Sequence, residues 1–541
     1  MNIGARRADG RARLGLVVCG VVAVGYLGWF FVWPLAAIVG RGIADSGQSF
    51  TALISSTLGS TRVRHIIGFT LLQASVSTLA TFVLGLPLVA VLTRRRARGL
   101  AAVRTLVVVP FVLPTVVVAA GFDALFGAGG PLRALDLVPS TTVVVLAHVV
   151  FNLAVVVRVV GARWSTLDPE LARAARVLGA GPMRVWTSVT LPLLAPAIAA
   201  AAAIVMLFCV TSFGVVLVLG GIGRSTIETE IYRLTTQELA LDRAAVLVLV
   251  QLLVVAIVAL VAGAFGRQRG IVRAVGARDV REPIRGVRTR VGVMLAVAPV
   301  SLLVVAPLAM LLARGCAHAR VGWNFLRHDD FSGIVWTSSI AASLRAVAAA
   351  TLLALVVGAC ATALLVTMRR GRRIVDVLFA LPLGVSAVSI GFGFLIALDR
   401  PVDLRASWWL VPIAQATVAL PFVIRTMVPA WRAIDPALRE VAATLGTAPR
   451  SVRWRVDVPL LRRAIVTGAA LAAAVALGEF GATAFVARAD APTVPIAIVR
   501  LLGRPGAAAH DAAYLLAAVL VVITALLAVV ADRAATTGQG F

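Results

Sequence analysis

The sequence predicts an all-α polytopic membrane protein, with about twelve transmembrane helices in two parallel halves of six. Three observations carry this. Of 541 residues, 60% are hydrophobic and 14% charged, with a mean hydropathy of +0.99; soluble domains hold about 45–50% apolar and about 25% charged residues. Apolar runs long enough to cross a bilayer alternate with short arginine clusters, the pattern of loops on the positive side of a membrane. The chain also repeats itself at an offset of 267, so that Trp164, Asp168, Pro169, Leu171, Ala175, Leu178, Gly179, Pro182, Val185, Val189 and Pro192 fall on Trp431, Asp435, Pro436, Leu438, Ala442, Leu445, Gly446, Pro449, Val452, Val456 and Pro459. So long a match is not chance composition. The protein is an internal duplication.

Composition also excludes functions. A net charge of +27 could suggest nucleic acid, but it sits in short runs between apolar spans, where no groove-lining face can form, so no nucleic-acid partner is expected. The chain contains no lysine, and a Walker A phosphate loop needs one. Any ATP and Mg²⁺ that drive it are therefore expected on another chain, with no cofactor bound here. Cys19, Cys209, Cys316 and Cys360 show no metal or redox spacing and read as ordinary buried thiols.

Taken in order, Arg6, Arg7, Arg11 and Arg13 precede an apolar run from Leu14 to Val39, which exceeds the roughly 7–15 residues of a signal-peptide core and reads as an uncleaved first span. Further spans run from about Ile66 to Thr93 (ending at Arg94, Arg95, Arg96 and Arg98), Val103 to Phe126, Thr142 to Ala162, Leu193 to Leu219, and Ala244 to Phe265. Residues 266–290 carry eight arginines and read as a basic cytoplasmic linker between a first repeat, 1–265, and a second, 291–541. The second repeat has spans at about Val291–Leu312, Ile340–Met368, Ile374–Leu398, Trp408–Pro429, Leu461–Phe485 and Ala512–Ala531, with Arg369, Arg370, Arg372 and Arg373 after the second of them. Because six is even, both halves share one orientation. Both chain ends and both copies of the repeated loop, 164–192 and 431–459, are then cytoplasmic.

Each loop carries helix punctuation. Asp168 and Asp435 suit an N-cap and Pro169 and Pro436 the first helical position, while Gly179 and Gly446 can adopt the left-handed geometry that ends a helix. The result is a helix of about ten residues, with Leu171, Ala174, Ala175 and Leu178 along one face and Leu438, Val441, Ala442 and Leu445 along the other copy's. A second short helix follows Pro182 or Pro449 and is expected to stop by Pro192 or Pro459. Ten residues cannot span a bilayer, so each apolar stripe needs a cover. For one copy, lipid headgroups or the protein's own bundle would serve. Two matching copies favour paired docking sites for a partner with two equivalent surfaces.

The segments Arg173-Ala174-Ala175-x3-Gly179-x9-Val189-x-Leu191-Pro192 and Glu440-Val441-Ala442-x3-Gly446-x9-Val456-x-Val458-Pro459 resemble the EAA loop of the membrane subunits of ABC importers. The resemblance implies two type I permease halves fused in one chain. It further implies that Asp168, Leu171, Arg173, Ala174, Ala175, Leu178 and Gly179, with Asp435, Leu438, Glu440, Val441, Ala442, Leu445 and Gly446, form two coupling helices. Two copies of a cytoplasmic ATPase would grip them, and an extracytoplasmic substrate-binding protein would deliver cargo to the bacterial cell membrane. Arg173 stands where the motif has Glu, and Val441 replaces an Ala. The chain is similar to the fused permeases that serve thiamine and ferric iron. Ala147 to Leu153, Gly220-Gly221 with Thr226 to Tyr232, and Gly478-Glu479-Phe480-Gly481 resemble thiamine permeases in particular, so a small cationic nutrient is the expected cargo.

Within the spans, Glu479 aligns with Ser212 in the repeat. An ionisable group at mid-bilayer costs about 2.5–3.5 kcal/mol on insertion scales, which makes it a candidate for a cation pathway; pairing with Arg345, or protonation within the bundle, are the plainer alternatives. Phe213 and Phe480, adjacent to this pair, are pathway candidates or core packing. His148 and Asn152, one turn apart, suit interhelical hydrogen bonds. The outer acids Glu228 and Glu230 suit either a solvated loop or a contact with the binding protein. The competing reading is a six-plus-six secondary transporter driven by an ion gradient, which should show coupling-ion carboxylates over several spans. A membrane-embedded enzyme would need a nucleophile–base pair, and none is present.

Overall fold

The computed structural model describes residues 3–44, 47, 49–221, 223–266, 282–328, 336–368, 370–399, 403–405, 407–488 and 491–536. They are almost entirely helical. The first span joins α1 (Ile3–Leu27) and α2 (Trp33–Ala44) through a π turn. Next come α3 (Phe50–Gly59), α4 (Thr61–Arg94), α5 (Leu100–Val112), α6 (Thr115–Phe126), α7 (Thr141–Ser165), α8 (Pro169–Val177), α9 (Pro182–Val185), α10 (Leu191–Val210), α11 (Gly214–Leu219), α12 (Ile227–Thr236) and α13 (Leu241–Gly266). The second half follows with α14 (Val287–Ala317), α15 (Ala319–His328), α16 (Trp336–Thr367), α17 (Arg372–Ala380), α18 (Ala387–Ala397), α19 (Leu410–Arg432), α20 (Pro436–Thr444), α21 (Pro449–Val452), α22 (Val458–Gly478), α23 (Thr483–Val486), α24 (Val494–Leu502) and α25 (Ala507–Thr536). Among the described residues, 10 helices are long and apolar enough to cross a membrane, or up to 12 if each of two bent pairs counts as one span. The all-α polytopic class is therefore the one observed.

The bent pairs correct the expectation of unbroken third spans at Val103 to Phe126 and Ile374–Leu398. α5 and α6 meet at 108°, and the segments Arg372–Leu383 and Ala387–Ala397 at 95°. Pro114 explains the first bend, since a residue before proline is excluded from the helical region and Leu113 is extended at ψ 148°. The second bend falls where a 3₁₀ turn over Leu381–Leu383 gives way to an extended Ser386, whose hydroxyl accepts the N–H of Val388 at 3.0 Å. The fifth spans are also shorter than predicted. They end at Val210 and Gly478 instead of Leu219 and Phe485, because Glu479 is extended at ψ 121° and separate helices, α11 and α23, take up the remaining residues. Glu479 and Ser212 thus sit at helix breaks, not within a continuous span.

The described residues form two compact units, one of Ile54–Ile231 and Leu247–Ala319, the other of Met1–Leu53, Tyr232–Val246 and Arg320–Phe541. These divide the chain differently from the sequence repeat, since each unit takes its first long helix from the other half. In the first unit, α14 packs on α6 so closely that a Cβ on Gly121 would lie 3.0 Å from the carbonyl oxygen of Pro307. In the second, α2 packs on α18 and a Cβ on Gly393 would lie 2.9 Å from Cβ of Pro34. The same small-residue approach is built twice, and small residues are what let backbones meet in a membrane. Residues 267–281, most of the predicted linker, lie outside the described residues. Its end is ordered in the first unit, where Arg95–Arg96 pairs in parallel with Glu282–Pro283.

Candidate functional site

The two copies of the repeated loop fold alike, element for element. α8 and α20 each have nine residues. The Asp168 carboxylate accepts the Glu170 N–H at 2.9 Å, and Asp435 accepts that of Ala437 at 2.9 Å. At the other end Gly179 and Gly446 take φ +84° and +76°. The N–H of Ala180 bonds to the carbonyl of Ala175 at 3.0 Å and that of Thr447 to Ala442 at 3.0 Å, with Gly179 to Arg176 and Gly446 to Ala443 also at 3.0 Å. This is the Schellman closure, which satisfies the last carbonyls while turning the chain sharply. Replacing Asp168 or Asp435 by alanine is expected to weaken its helix by about 1 kcal/mol, seen as faster amide exchange in that loop alone.

Neither helix contains a buried residue. Leu178 is 87% and Leu445 78% exposed, and Leu171, Leu438 and Val441 are about half exposed. Ala174 and Glu440 are exposed, and Ala175 and Ala442 partly so. Arg173 donates to Glu170 within its own helix. The loops are held from beneath by Leu167 and Val185 in the first copy and Ile434 and Val452 in the second, all buried. The apolar faces are thus presented on short, fixed helices with nothing from their own unit packed over them.

One expectation fails here. The helix after Pro182 or Pro449 does not stop at Pro192 or Pro459 but runs on into the long span, Pro182–Val210 in the first copy. A π turn makes this possible, over Trp186–Thr190 and Arg453–Asp457. The Leu191 N–H bonds to the Trp186 carbonyl, and Val458 to Arg453. The wider turn relieves the clash of a proline ring with the preceding turn. Each short helix is consequently one rigid rod with a membrane span.

The copies differ underneath. In the second, Arg439 Nε donates to the Asp457 carboxylate at 2.8 Å, and the guanidinium carbon lies 5.7 Å from the Trp431 ring centre. Asp457 is buried, its side chain 6% exposed. Three elements are tied together: the end of α19, the helix α20 and the π turn that opens α22. The first copy has Ala172 and Thr190 at those positions, and there Trp164 instead packs on Trp186 with ring centres 5.4 Å apart. The sequence reading missed this pair because it followed matches between copies, and Arg439 and Asp457 are mismatches.

The membrane candidates are buried. The Glu479 carboxylate accepts the N–H groups of Ala482 at 2.7 Å and Thr483 at 3.0 Å, capping α23 rather than pairing with Arg345, which is exposed. Ser212 meets His148 Nε2 at 2.8 Å, and His148 Nδ1 meets Ser77 at 3.1 Å, so the expected interhelical hydrogen bonds are present. Phe213 and Phe480 are buried at these two breaks. Glu228 and Glu230 are no solvated loop. They are 0% and 2% exposed, with Gln251 donating to Glu228 at 2.9 Å and Arg62 to Glu230 at 2.9 and 3.1 Å. Of the cysteines, Cys209 is buried but Cys316 is exposed. Among the described residues, no group of three His, Cys, Asp or Glu could hold a metal ion.

The chain is also similar to known proteins. The family described as binding-protein-dependent transport system inner membrane component matches twice, over residues 81–269 and 350–536. Each match contains one loop. The thiamine transport system permease protein ThiP of Brucella abortus is 26% identical over 520 residues, 93% of this chain and 92% of its own. The probable ABC transporter permease protein y4fN of Sinorhizobium fredii is 27% identical over 526 residues, 90% of each chain. The molybdenum transport system permease protein ModB of Mycobacterium tuberculosis is 35% identical over 202 residues, 34% of this chain and 74% of its own.

Proposed function

Because this chain belongs to the binding-protein-dependent transport system inner membrane components, and is a duplicated permease of an ABC importer rather than an enzyme, we propose that α8 and α20 are its two coupling helices. One ATPase copy grips each, from the cytoplasm. The observation that carries this reading is the pair of uncovered apolar faces, built with the same cap, the same Schellman turn and the same π-turn junction to a span. Full burial of a leucine is worth about 1.5–3 kcal/mol, so the two leucines of each face reward a groove that covers them. Arg173, already paired with Glu170, leaves Glu440 as the acidic contact that the second loop alone can offer. ATP and Mg²⁺ belong to the ATPase, and a substrate-binding protein delivers cargo from the other side of the cell membrane, with both chain ends cytoplasmic.

The cargo we favour is thiamine. The ThiP relatives align over nearly the whole duplicated chain, whereas the molybdenum permease aligns over a third of it; ferric iron is the next choice on the sequence resemblance. Glu479, with Ser212, Phe213 and Phe480, would flank the cargo's route where the fifth helices break, and a carboxylate suits a cation. Glu479→Gln keeps one acceptor for α23 but removes the charge. It is expected to lower uptake of a cationic cargo about ten-fold with ATP hydrolysis intact, roughly 1.4 kcal/mol of lost stabilisation. Unchanged uptake would leave the carboxylate as a helix cap alone.

The test of the function is reconstitution of the full chain in proteoliposomes with its ATPase and binding protein, using labelled thiamine. Uptake should require all three proteins and ATP. Accumulation against a gradient without the ATPase would overturn the importer reading. ATP-dependent uptake of ferric iron but not thiamine would overturn only the cargo.

A further inference from the structure

A second site lies in the unit of Met1–Leu53, Tyr232–Val246 and Arg320–Phe541, and none of the loop or helix-break residues lines it. An open groove of about 680 Å³ lies between α1 and α16, within the roughly 300–1,000 Å³ of small-molecule sites. Val17, Gly20 and Val24 line one wall, Leu364 and Met368 the other, and Val375 of α17 closes one end. The glycine makes the space. A Cβ on Gly20 would lie 3.6 Å from Leu364 Cδ1, in van der Waals contact with the facing wall, so a leucine there would narrow the groove. Nothing polar lines it, so the ligand portion it accepts is a hydrocarbon chain.

The end of the groove identifies the headgroup. Met368 and Val375 are followed and preceded by Arg370, Arg372 and Arg373, all exposed. No ion pair among the described residues neutralises any of the three. In the corresponding run of the first half, Arg95 is paired with Glu282 at 3.0 Å, while Arg96 and Arg98 are exposed. An apolar slot ending in unneutralised guanidinium groups at a membrane surface matches one class of molecule. We infer that this groove is a binding site for an anionic phospholipid, its acyl chain between α1 and α16 and its phosphate among Arg370, Arg372 and Arg373. Guanidinium groups suit phosphate because of their planar array of donors. A zwitterionic lipid brings the same chain but cancels its own charge.

The test is lipid titration of the delipidated full chain in detergent by native mass spectrometry, with phosphatidylglycerol and phosphatidylcholine of matched acyl chains. The intact protein should hold phosphatidylglycerol about ten-fold more tightly. Arg370→Gln, Arg372→Gln and Arg373→Gln together should bring the two lipids to parity by weakening only the anionic one. Gly20→Leu, with all three arginines present, should weaken both. Equal binding of the two lipids by the unaltered chain, or a preference that survives the triple substitution, would overturn the inference. So would displacement of phosphatidylglycerol by glycerol phosphate, because binding would then be to a free phosphate with no part played by the groove.

Discussion

Gly446→Pro is expected to abolish uptake, by at least ten-fold, while the chain still reaches the membrane in normal amount and the associated ATPase still turns over. Gly446 has φ +76°, and proline is fixed near −65°. Proline also removes the N–H that bonds to Ala443, and the Thr447 bond to Ala442 cannot form once the chain leaves the helix in another direction. Space is not the issue, because a Cβ at Gly446 would meet nothing within 4 Å. Alanine is therefore the informative control. It leaves the N–H in place and imposes only left-handed strain of about 1–2 kcal/mol, so uptake should fall much less. The same comparison at Gly179, with φ +84°, should give the same order. Uptake and ATPase rate measured together on each variant read out coupling. Normal uptake by Gly446→Pro would remove the second helix from the drive train.

Arg439→Ala should loosen the second loop and leave the first alone. Breaking a fully buried ion pair costs about 3–5 kcal/mol. Here Asp457 is buried but the Arg439 side chain is 32% exposed, so about 2–3 kcal/mol is the appropriate scale, including the lost contact with Trp431. That is enough to let α20 move relative to α22. The expected result is faster amide exchange over 436–457 and a several-fold fall in uptake per ATP hydrolysed. Exchanging the charges, Arg439→Asp with Asp457→Arg, should recover part of both, which a mere loss of packing would not allow. Uncoupling as severe as that of Gly446→Pro would mean that Arg439 contacts the motor itself.

The two short loop helices were legible because their determinants are local. An N-cap, a proline, a left-handed glycine and a helical stripe all lie within about a dozen residues, and the repeat wrote them twice. Most of the spans were legible for the same reason, since hydropathy marks each one independently. What escaped depends on contacts distant in the chain. Pro114 lies inside the predicted third span, where a proline can be tolerated, and whether it kinks the helix slightly or by 108° is decided by what packs around it. Pro192 and Pro459 looked like helix ends because nothing in the sequence announces a π turn. The exchange of first helices between units was invisible too: Gly121 meets Pro307, and Gly393 meets Pro34, across hundreds of residues. Glu228 and Glu230 suited either a solvated loop or a contact with the binding protein because their partners, Gln251 and Arg62, lie on other helices.

All of this depends on two short helices serving as the handles of a motor carried by other chains. The sharpest test places single cysteines at Leu178 and at Leu445, the most exposed apolar positions of the two faces, and measures thiol labelling of the full chain with and without its ATPase. Both sites should label readily alone and be protected together when the ATPase is bound. Labelling of both at the same rate whether or not the ATPase is present would contradict the account.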